Sequence, residues 1–417
     1  MLHSNANATA KAIAIIGAGQ AGFQVAASLR QEGHTGSITL IGDEAGLPYQ
    51  RPPLSKAYML GKISADALSF RPQKFFDEHA ITTVHGRATA IDRTNRGVML
   101  KDGSHVDYDH LVLATGAHNR ALPVPGAKLE GVFGLRTLAD ADRVTPRLRS
   151  ARNVIVCGAG FIGLEFAAVA RALGCTVHVL ELADRPMARA VSVETSRCFR
   201  EAHEAQGVHF DFGQGLSHIE GHESRIASVV TTQGNTLPAD LVMFGIGVLP
   251  NVTIAAEAGL DIDNGIKVDG DLLTSDASIS AIGDCASFPS RHAGCRTRIE
   301  SVQNATDQAR CVATRLAGKT PQPYGALPWF WSDQGELRLQ IAGLSHGTDA
   351  TVVVGDRVAL KFSVLCFRDD HLIAVESINQ AGDHMAARKL LARRAALTPQ
   401  NAAVDGFDLR AFETASR

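Results

Sequence analysis

Cysteine is missing from the first 156 residues of this 417-residue chain. The seven that follow, Cys157, Cys175, Cys198, Cys285, Cys295, Cys311 and Cys366, are widely spaced, form no C-x-x-C pair and join no cysteine–histidine cluster. They give no reason to expect a metal site, and an odd, scattered set fits reduced thiols better than a disulfide framework. Long apolar runs are missing too: none approaches the roughly 18 residues of a membrane span. Residues 1–11 hold no basic segment followed by an apolar stretch, so no secretory signal is read, and the chain is expected to be soluble, cytoplasmic and free of membrane. Neither sign of charge is in excess. Lys plus Arg number 41 and Asp plus Glu 43, a formal net charge of −2, which removes the electrostatic case for nucleic-acid binding. Apolar residues at 45% and charged residues at 20% describe an ordinary globular protein of two or three domains.

What the chain does have is glycine: 39 residues, about 9% against the usual 7% or so. Their placement is ordered. Residues 12–16 (AIAII) read as a buried strand, and the loop Gly17-Ala18-Gly19-Gln20-Ala21-Gly22 follows. Phe23, Ala26, Ala27 and Arg30 then recur at helical spacing, and a second strand at 37–41 (SITLI) runs into Asp43, 21 residues after Gly22. The same order returns 141 residues later. The strand 153–157 (NVIVC) leads into Gly158-Ala159-Gly160-Phe161-Ile162-Gly163, then a helical pattern, then the strand 176–180 ending on Glu181. Each unit continues into a strand-rich stretch. Residues 88–92 and 98–101 precede the Asp102-Gly103 corner in the first, and residues 225–232 run into Gln233-Gly234-Asn235 in the second. Each then closes on an apolar strand with small residues: Leu111 to Ala114-Thr115-Gly116, and Leu241 to Gly245-Ile246-Gly247.

Each loop has a specific physical meaning. The first glycine allows the turn from strand to helix, the second lets the backbone approach a pyrophosphate, and the third lets helix and strand pack closely. Backbone N–H groups at the helix start receive the phosphates, and the acid at the next strand's end accepts from a ribose diol. Two such units in full strand–helix–strand–acid context imply an electron handoff between two dinucleotides. At Glu181 a carboxylate accepts from the free 2′-hydroxyl of NADH and repels the 2′-phosphate of NADPH, although Arg185 and Arg189 stand downstream.

Further segments carry a resemblance: PYQRPPLSKAY (48–58), LVLATG (111–116), LRTLADA (135–141), GIGVLPN (245–251), TSDASISAIGDCA (274–286), IESVQNA (299–305) and PWFWSDQ (328–334). With the two loops, they resemble the FAD-containing, NADH-dependent ferredoxin reductases of bacterial oxygenase systems, the putidaredoxin reductase-like group of the pyridine nucleotide–disulfide oxidoreductases. The resemblance spans about residues 12–395. It implies an α/β fold of glutathione reductase type, with two Rossmann-like three-layer nucleotide-binding domains and a C-terminal α+β domain. The implied FAD domain is 1–116 with 248–325, the NADH domain 117–247 and the C-terminal domain 326–417. The resemblance assigns Gly17, Gly19, Ala21, Gly22, Asp43, Arg51, Lys56, Ala88, Ala114, Thr115, Gly116, Arg136, Gly283, Asp284, Val302 and Trp331 to FAD. It assigns Gly158, Gly160, Ile162, Gly163, Glu181, Arg189 and Gly247 to NADH, with Glu165 near the nicotinamide. On residue chemistry alone the alternatives stay open. Asp284 also suits an Asx-turn, Arg136 a surface cation, Glu165 a solvated helix position, and Trp329 with Trp331 a core.

The missing early cysteine selects the branch. Disulfide reductases of this superfamily carry a redox cysteine pair soon after the FAD acid, and oxidase relatives carry one cysteine in a Leu-Ser-Cys run. Here the run is Leu54-Ser55-Lys56, so no thiol relay is available and electrons leave the flavin directly. Lys56 reads as a catalytic cation with Glu165 and Trp331, or else as a surface lysine beginning a helix capped by Ser55. The implied partner is a [2Fe–2S] ferredoxin serving a haem-thiolate monooxygenase or a dioxygenase, with the protein a monomer or weak dimer. Reductases of rubredoxin or small molecules, and flavoproteins of the apoptosis-inducing-factor type, are the alternatives. Strands are expected at 351–354, 358–367 and 371–378, with a corner at Arg368-Asp369-Asp370 and a basic helix at 386–397. Arg388, Lys389, Arg393 and Arg394 there, with Arg310, Arg315 and Lys319, are read as an electrostatic docking patch for an acidic ferredoxin or as a solvated face. Replacing Glu181 by a neutral residue is expected to raise the ratio of NADPH to NADH turnover. Steady-state kinetics with both nucleotides check this, and an unchanged NADH preference would remove Glu181 from the site.

Overall fold

The computed structural model describes residues 11–320 and 322–416. The N-terminal segment in which no secretory signal is read therefore lies, but for residue 11, outside the described residues. Among the described residues no helix is long and apolar enough to cross a membrane, and no group of His, Cys, Asp or Glu is arranged to hold a metal ion.

The chain divides into two compact units. The first comprises residues 1–50, 68–118 and 249–326, and the second comprises 51–67, 119–248 and 327–417. In the first unit a five-stranded parallel sheet runs in the order Ile279–Ala281, His110–Leu113, Ile13–Ile16, Ile38–Gly42, Ile81–His85. Ile13–Ile16 and His110–Leu113 are buried along their whole length, as expected of parallel strands covered on both faces. The helix Gln20–Gln31 follows the central strand and buries Phe23, Val25, Ala26 and Leu29. Phe23 stacks on Phe70 with centroids 4.7 Å apart and meets Phe76 edge-on. A three-stranded antiparallel sheet, Ala88–Asp92, Gly97–Leu100 and His105–Asp107, turns through Asp102-Gly103.

The second unit repeats this plan. Its parallel sheet runs Val208–Phe212, Thr176–Glu181, Asn153–Cys157, Leu241–Phe244, Val132–Gly134, and Leu216–His222, Arg225–Thr231 and Thr236–Pro238 form the antiparallel meander. The repeat differs at one edge. The fifth strand comes from upstream residues in this sheet and from far downstream residues in the first. Residues 51–67 belong to the second unit, where the Arg51 guanidinium donates to the Arg136 carbonyl at 2.7 Å and the Tyr58 hydroxyl donates to Asp142 at 2.5 Å. The helix Leu138–Ser150 that carries Asp142 opens with a capping box, Thr137 accepting from the Asp140 N–H while Asp140 accepts from the Thr137 N–H.

The C-terminal part of this unit is a five-stranded antiparallel sheet ordered Trp329–Gln334, Leu337–Gly343, His371–Ile378, Lys361–Arg368, Ala350–Asp356. The helix Ala381–Ala392 packs on it through Ala386, Ala387, Leu390 and Leu391. Two expectations are corrected here. The strand expected from 358 begins at Lys361, because Asp356 accepts from the Val358 and Ala359 N–H groups in a turn that leaves Val358 96% exposed. The helix expected at 386–397 begins at Ala381 and ends at Ala392, and Arg394 turns the chain at φ 51°. The corner at 369–370 is present, with both aspartates at positive φ as a two-residue hairpin turn of mirror type requires. Replacing Thr137 by alanine is expected to lower the denaturant midpoint by an amount equivalent to about 1 kcal/mol. Equilibrium unfolding of the holoprotein measures it.

Candidate functional site

Both glycine loops leave the central strand of a parallel sheet, where ligands of such sheets bind. An added Cβ on Gly17 would lie 2.1 Å from the Ala114 carbonyl oxygen, and one on Gly22 would lie 1.8 Å from the Gly17 carbonyl oxygen. In the second loop a Cβ on Gly163 would lie 2.1 Å from the Gly158 oxygen, and one on Gly158 2.7 Å from the Gly245 oxygen. The middle glycines are different. A Cβ on Gly19 or Gly160 meets nothing within 4 Å. First and third glycines are thus consumed by backbone packing, and second glycines border open space. Gly19 and Gly160 are also the N-caps of twelve-residue helices that have no side-chain cap and no acid in the first turn. Uncapped N–H groups at the positive end of a helix, with room in front of them, fit dinucleotide phosphates in both units.

Around the first loop, Ala114 pairs with Ile16, and Thr115 is clamped by Asn251. The Thr115 hydroxyl donates to the Asn251 carbonyl at 2.7 Å, and the Asn251 amide donates to the Thr115 carbonyl at 2.7 Å. Gly283 stands at φ 76°, donates its N–H to the Gln308 side chain at 2.7 Å, and leaves 3.1 Å between an added Cβ and Ala21. That contact brings Asp284 beside the loop. Asp284 lies in a turn of 3-10 helix, Gly283–Cys285, with its carbonyl accepting from Arg298. Val302 is the first residue of the helix Val302–Leu316, whose N-cap Ser301 accepts from the Asn304 N–H at 3.0 Å. Asp43 is exposed just past the strand Ile38–Gly42, and Ala88 opens the antiparallel sheet. The remaining residues assigned to FAD, Arg51, Lys56, Arg136 and Trp331, are carried by the second unit.

In that unit Glu181 reaches back to its own loop. One carboxylate oxygen accepts from the Ala159 N–H at 2.7 Å and the other from the Ala183 N–H at 2.9 Å. Arg185 donates to the carbonyls of Ala188 and Val191, so its guanidinium serves the loop, whereas Arg189 is exposed. Ile162 is 44% exposed on the second-loop helix, and Gly247 sits at φ 101° with space around it.

The densest chemistry gathers on Glu165, one turn into the helix Phe161–Ala172 and only 4% exposed. The solvated position open at the sequence level is therefore excluded. Lys56 Nζ lies 3.0 Å from Glu165 Oε1 and 3.5 Å from Asp333 Oδ2. The Ser55 hydroxyl donates to Oε2 at 2.6 Å and the Ser332 hydroxyl donates to Oε1 at 2.7 Å. Burial pushes the Glu165 carboxyl up, opposed by the Lys56 charge and then by both hydroxyls. Ser55 is not a helix cap. It ends the 3-10 turn Pro52–Ser55, whose two prolines fix φ at its start, and it is buried with its hydroxyl on Glu165. Ser332 and Asp333 lie in the segment 328–334, where no local signal marks them as neighbours of Glu165 and Lys56. Alternation along the strand Trp329–Gln334 places Trp329, Trp331 and Asp333 on one side and Ser332 on the other, and Trp331 is half-buried 5.6 Å from Trp329.

The cations of the basic patch are largely partnered within the chain, while Lys319 and Lys389 keep more than half of their side-chain surface exposed. Lys389 and Arg393 pair with the buried Glu413, Arg388 lies over the Trp329 ring at 4.8 Å, and Lys319 pairs with Glu32 at 2.6 Å. Arg315 donates to Ser280 at 2.7 Å beside His110, a buried imidazole lowered to about 3 by burial and then by Arg315. Most of these cations thus have partners within the chain. They read as surplus charge in the sequence because their partners stand far away in it.

The two kinds of glycine predict different outcomes. Gly160→Ala is expected to fold with stability within about 1 kcal/mol of the parent but to bind pyridine nucleotide at least about tenfold more weakly. Gly163→Ala is expected to lose several kcal/mol, roughly, because backbone meets side chain. Thermal unfolding and nucleotide titration of both variants check this. Comparable losses of stability would contradict the assignment.

The family profile described as "Pyridine nucleotide-disulphide oxidoreductase" matches residues 11–309, and the one described as "Reductase C-terminal" matches residues 329–413. Rhodocoxin reductase of Rhodococcus erythropolis is 51% identical over 399 residues, covering 95% of this chain and 93% of that protein. The crystal structure of the ferredoxin reductase for the CYP199A2 system of Rhodopseudomonas palustris superposes with a TM-score of 0.94 at 51% identity, covering 97% of this chain and 100% of the other. The covalent putidaredoxin reductase–putidaredoxin complex superposes with a TM-score of 0.94 at 38% identity and 99% coverage of both chains. Carrying both profiles, two glycine loops and the fold of these reductases, the chain belongs to the pyridine nucleotide-disulphide oxidoreductase family, oxidoreductases that use flavin and a pyridine nucleotide.

Proposed function

We propose that the protein takes electrons from NADH through FAD and passes them one at a time to a [2Fe–2S] ferredoxin that supplies a haem-thiolate monooxygenase or a dioxygenase. The observation that carries this reading is Lys56. Where thiol-dependent relatives hold a cysteine, this chain holds an ammonium, paired at 3.0 Å with a buried carboxylate. An ammonium cannot relay electrons as a thiol does, but a fixed cation favours negative charge formed beside it. FAD, when bound, accepts a hydride and releases electrons singly. The chain's own part is to bind and orient: the first loop with Asp43 and Asp284 for FAD, and the second loop with Glu181 and Arg189 for NADH. Glu165 holds the Lys56 ammonium in place, and Ser55 and Ser332 hold Glu165. Preference for NADH is supported by Glu181 standing at the loop and by Arg185 being tied to carbonyl groups instead of free for a 2′-phosphate. The domain assignment is a flavin domain of 1–116 and 248–325, a nucleotide domain of 117–247 and a C-terminal domain of 326–417. Seven free cysteines support a cytoplasmic setting.

A ferredoxin partner is supported by the relatives, one named for rhodocoxin and one seen joined to putidaredoxin. NADH oxidation by the purified flavoprotein is expected to be fast with a [2Fe–2S] ferredoxin and slow with oxygen alone, rubredoxin or quinones. Equal turnover with oxygen alone sinks the proposal. Replacing Lys56 by methionine is expected to slow flavin reduction by NADH by about tenfold or more. Stopped-flow absorbance measures this step apart from ferredoxin reduction.

A further inference from the structure

The segment between Glu181 and the helix Val193–Ala205 is held by the C-terminal part of the second unit at three places. Met187, a buried non-glycine residue at φ 53°, donates its N–H to the Ala159 carbonyl in the glycine loop at 2.9 Å. The Gln334 amide donates to the Met187 sulfur at 3.7 Å, while the Gln334 carbonyl faces His203 Nε2 at 2.9 Å. The Ser345 hydroxyl donates to the Ala190 carbonyl at 3.1 Å. The third hold is Glu376, fully buried on the strand His371–Ile378. Its carboxylate accepts from the Ser192 N–H at 2.9 and 3.1 Å and from the Ser192 hydroxyl at 2.6 Å.

A left-handed methionine persists only where its surroundings over-determine it. A buried carboxylate is tolerated only where donors meet it. Here both requirements are met by the same short segment, which carries Arg189 and follows the acid that selects the nucleotide. We propose that the C-terminal domain clamps this segment through Gln334, Ser345 and Glu376. These three act as positioning residues for the adenosine end of the pyridine nucleotide without touching it. The inference rests on the reading of the second loop as the NADH site. The C-terminal domain thereby sets nucleotide affinity and NADH preference in addition to any part it plays toward the electron acceptor.

The test uses the full-length flavoprotein and ADP-ribose, which carries the adenosine end and no nicotinamide. Glu376→Gln keeps the shape but removes the charge and one acceptor. It is expected to weaken ADP-ribose binding about tenfold and to raise the KM for NADH similarly, leaving kcat at saturating NADH unchanged. Ser345→Ala is expected to act in the same direction more weakly, and it decides the matter if Glu376→Gln fails to fold. Asp383→Asn serves as the control: it disturbs a buried carboxylate of the same domain that is paired with Arg410 and bonded to Ser363, whose partner Ser377 faces the opposite side of the strand from Glu376. It is expected to lower the melting temperature and leave ADP-ribose binding unchanged. Unchanged affinity in the clamp variants, or an equal loss in the control, overturns the clamp while the second-loop reading stands. Failure of the parent protein to bind ADP-ribose overturns both.

Discussion

Backbone lying on backbone is the constraint from which the rest follows. The carbonyl of Gly17 sits where a side chain at position 22 would begin, and the carbonyl of Gly158 does the same to position 163. Only when helix and strand come this close do the first N–H groups of the helix point over the end of the sheet with nothing in front of them. Every later feature uses that placement. The closing strands bring Ala114 and Gly245 against the loops, Gly283 lies against Ala21, and the acids Asp43 and Glu181 stand at the tips of the neighbouring strands.

A second constraint is electrostatic. Glu165 lies on a helix with a buried, strongly apolar surround, and a charge there must be met. Lys56, Ser55 and Ser332 meet it, from a proline-set turn and from the C-terminal sheet. One carboxylate therefore joins three stretches of chain in the second unit and fixes the orientation of the Lys56 ammonium. The ion pair serves position more than stability, since a buried pair of this kind gains little over apolar packing.

How much of this was legible follows from range. The strands at 88–92, 153–157 and 371–378 were read to the residue, because apolar runs bounded by turn residues are local signals. The glycine loops were read for the same reason. Glu165 was placed among the site residues only through resemblance, because its partners Ser55 and Ser332 lie 110 and 167 residues away. The charge partners of the basic helix were hidden for the same reason: Arg393 and Lys389 are answered by Glu413 on a helix folded back upon them. The setting of Arg315 was hidden because helical spacing does not say that its side chain donates to Ser280 beside His110. Glu376, within a strand, carried no mark that it would accept from Ser192, the N-cap residue of a helix 184 residues upstream.

The two parallel sheets differ at one edge, and that difference sets an order of events during synthesis. The second sheet takes its edge strand from residues 132–134 and needs nothing beyond residue 244. The first sheet waits for Ile279–Ala281. On the ribosome the first glycine loop therefore emerges early but stands on an unfinished sheet, and the later-made second sheet has all its strands first. The earlier sequence completes its sheet after the later one, and until Ile279–Ala281 arrives the flank of His110–Leu113 is an open edge available to other strands.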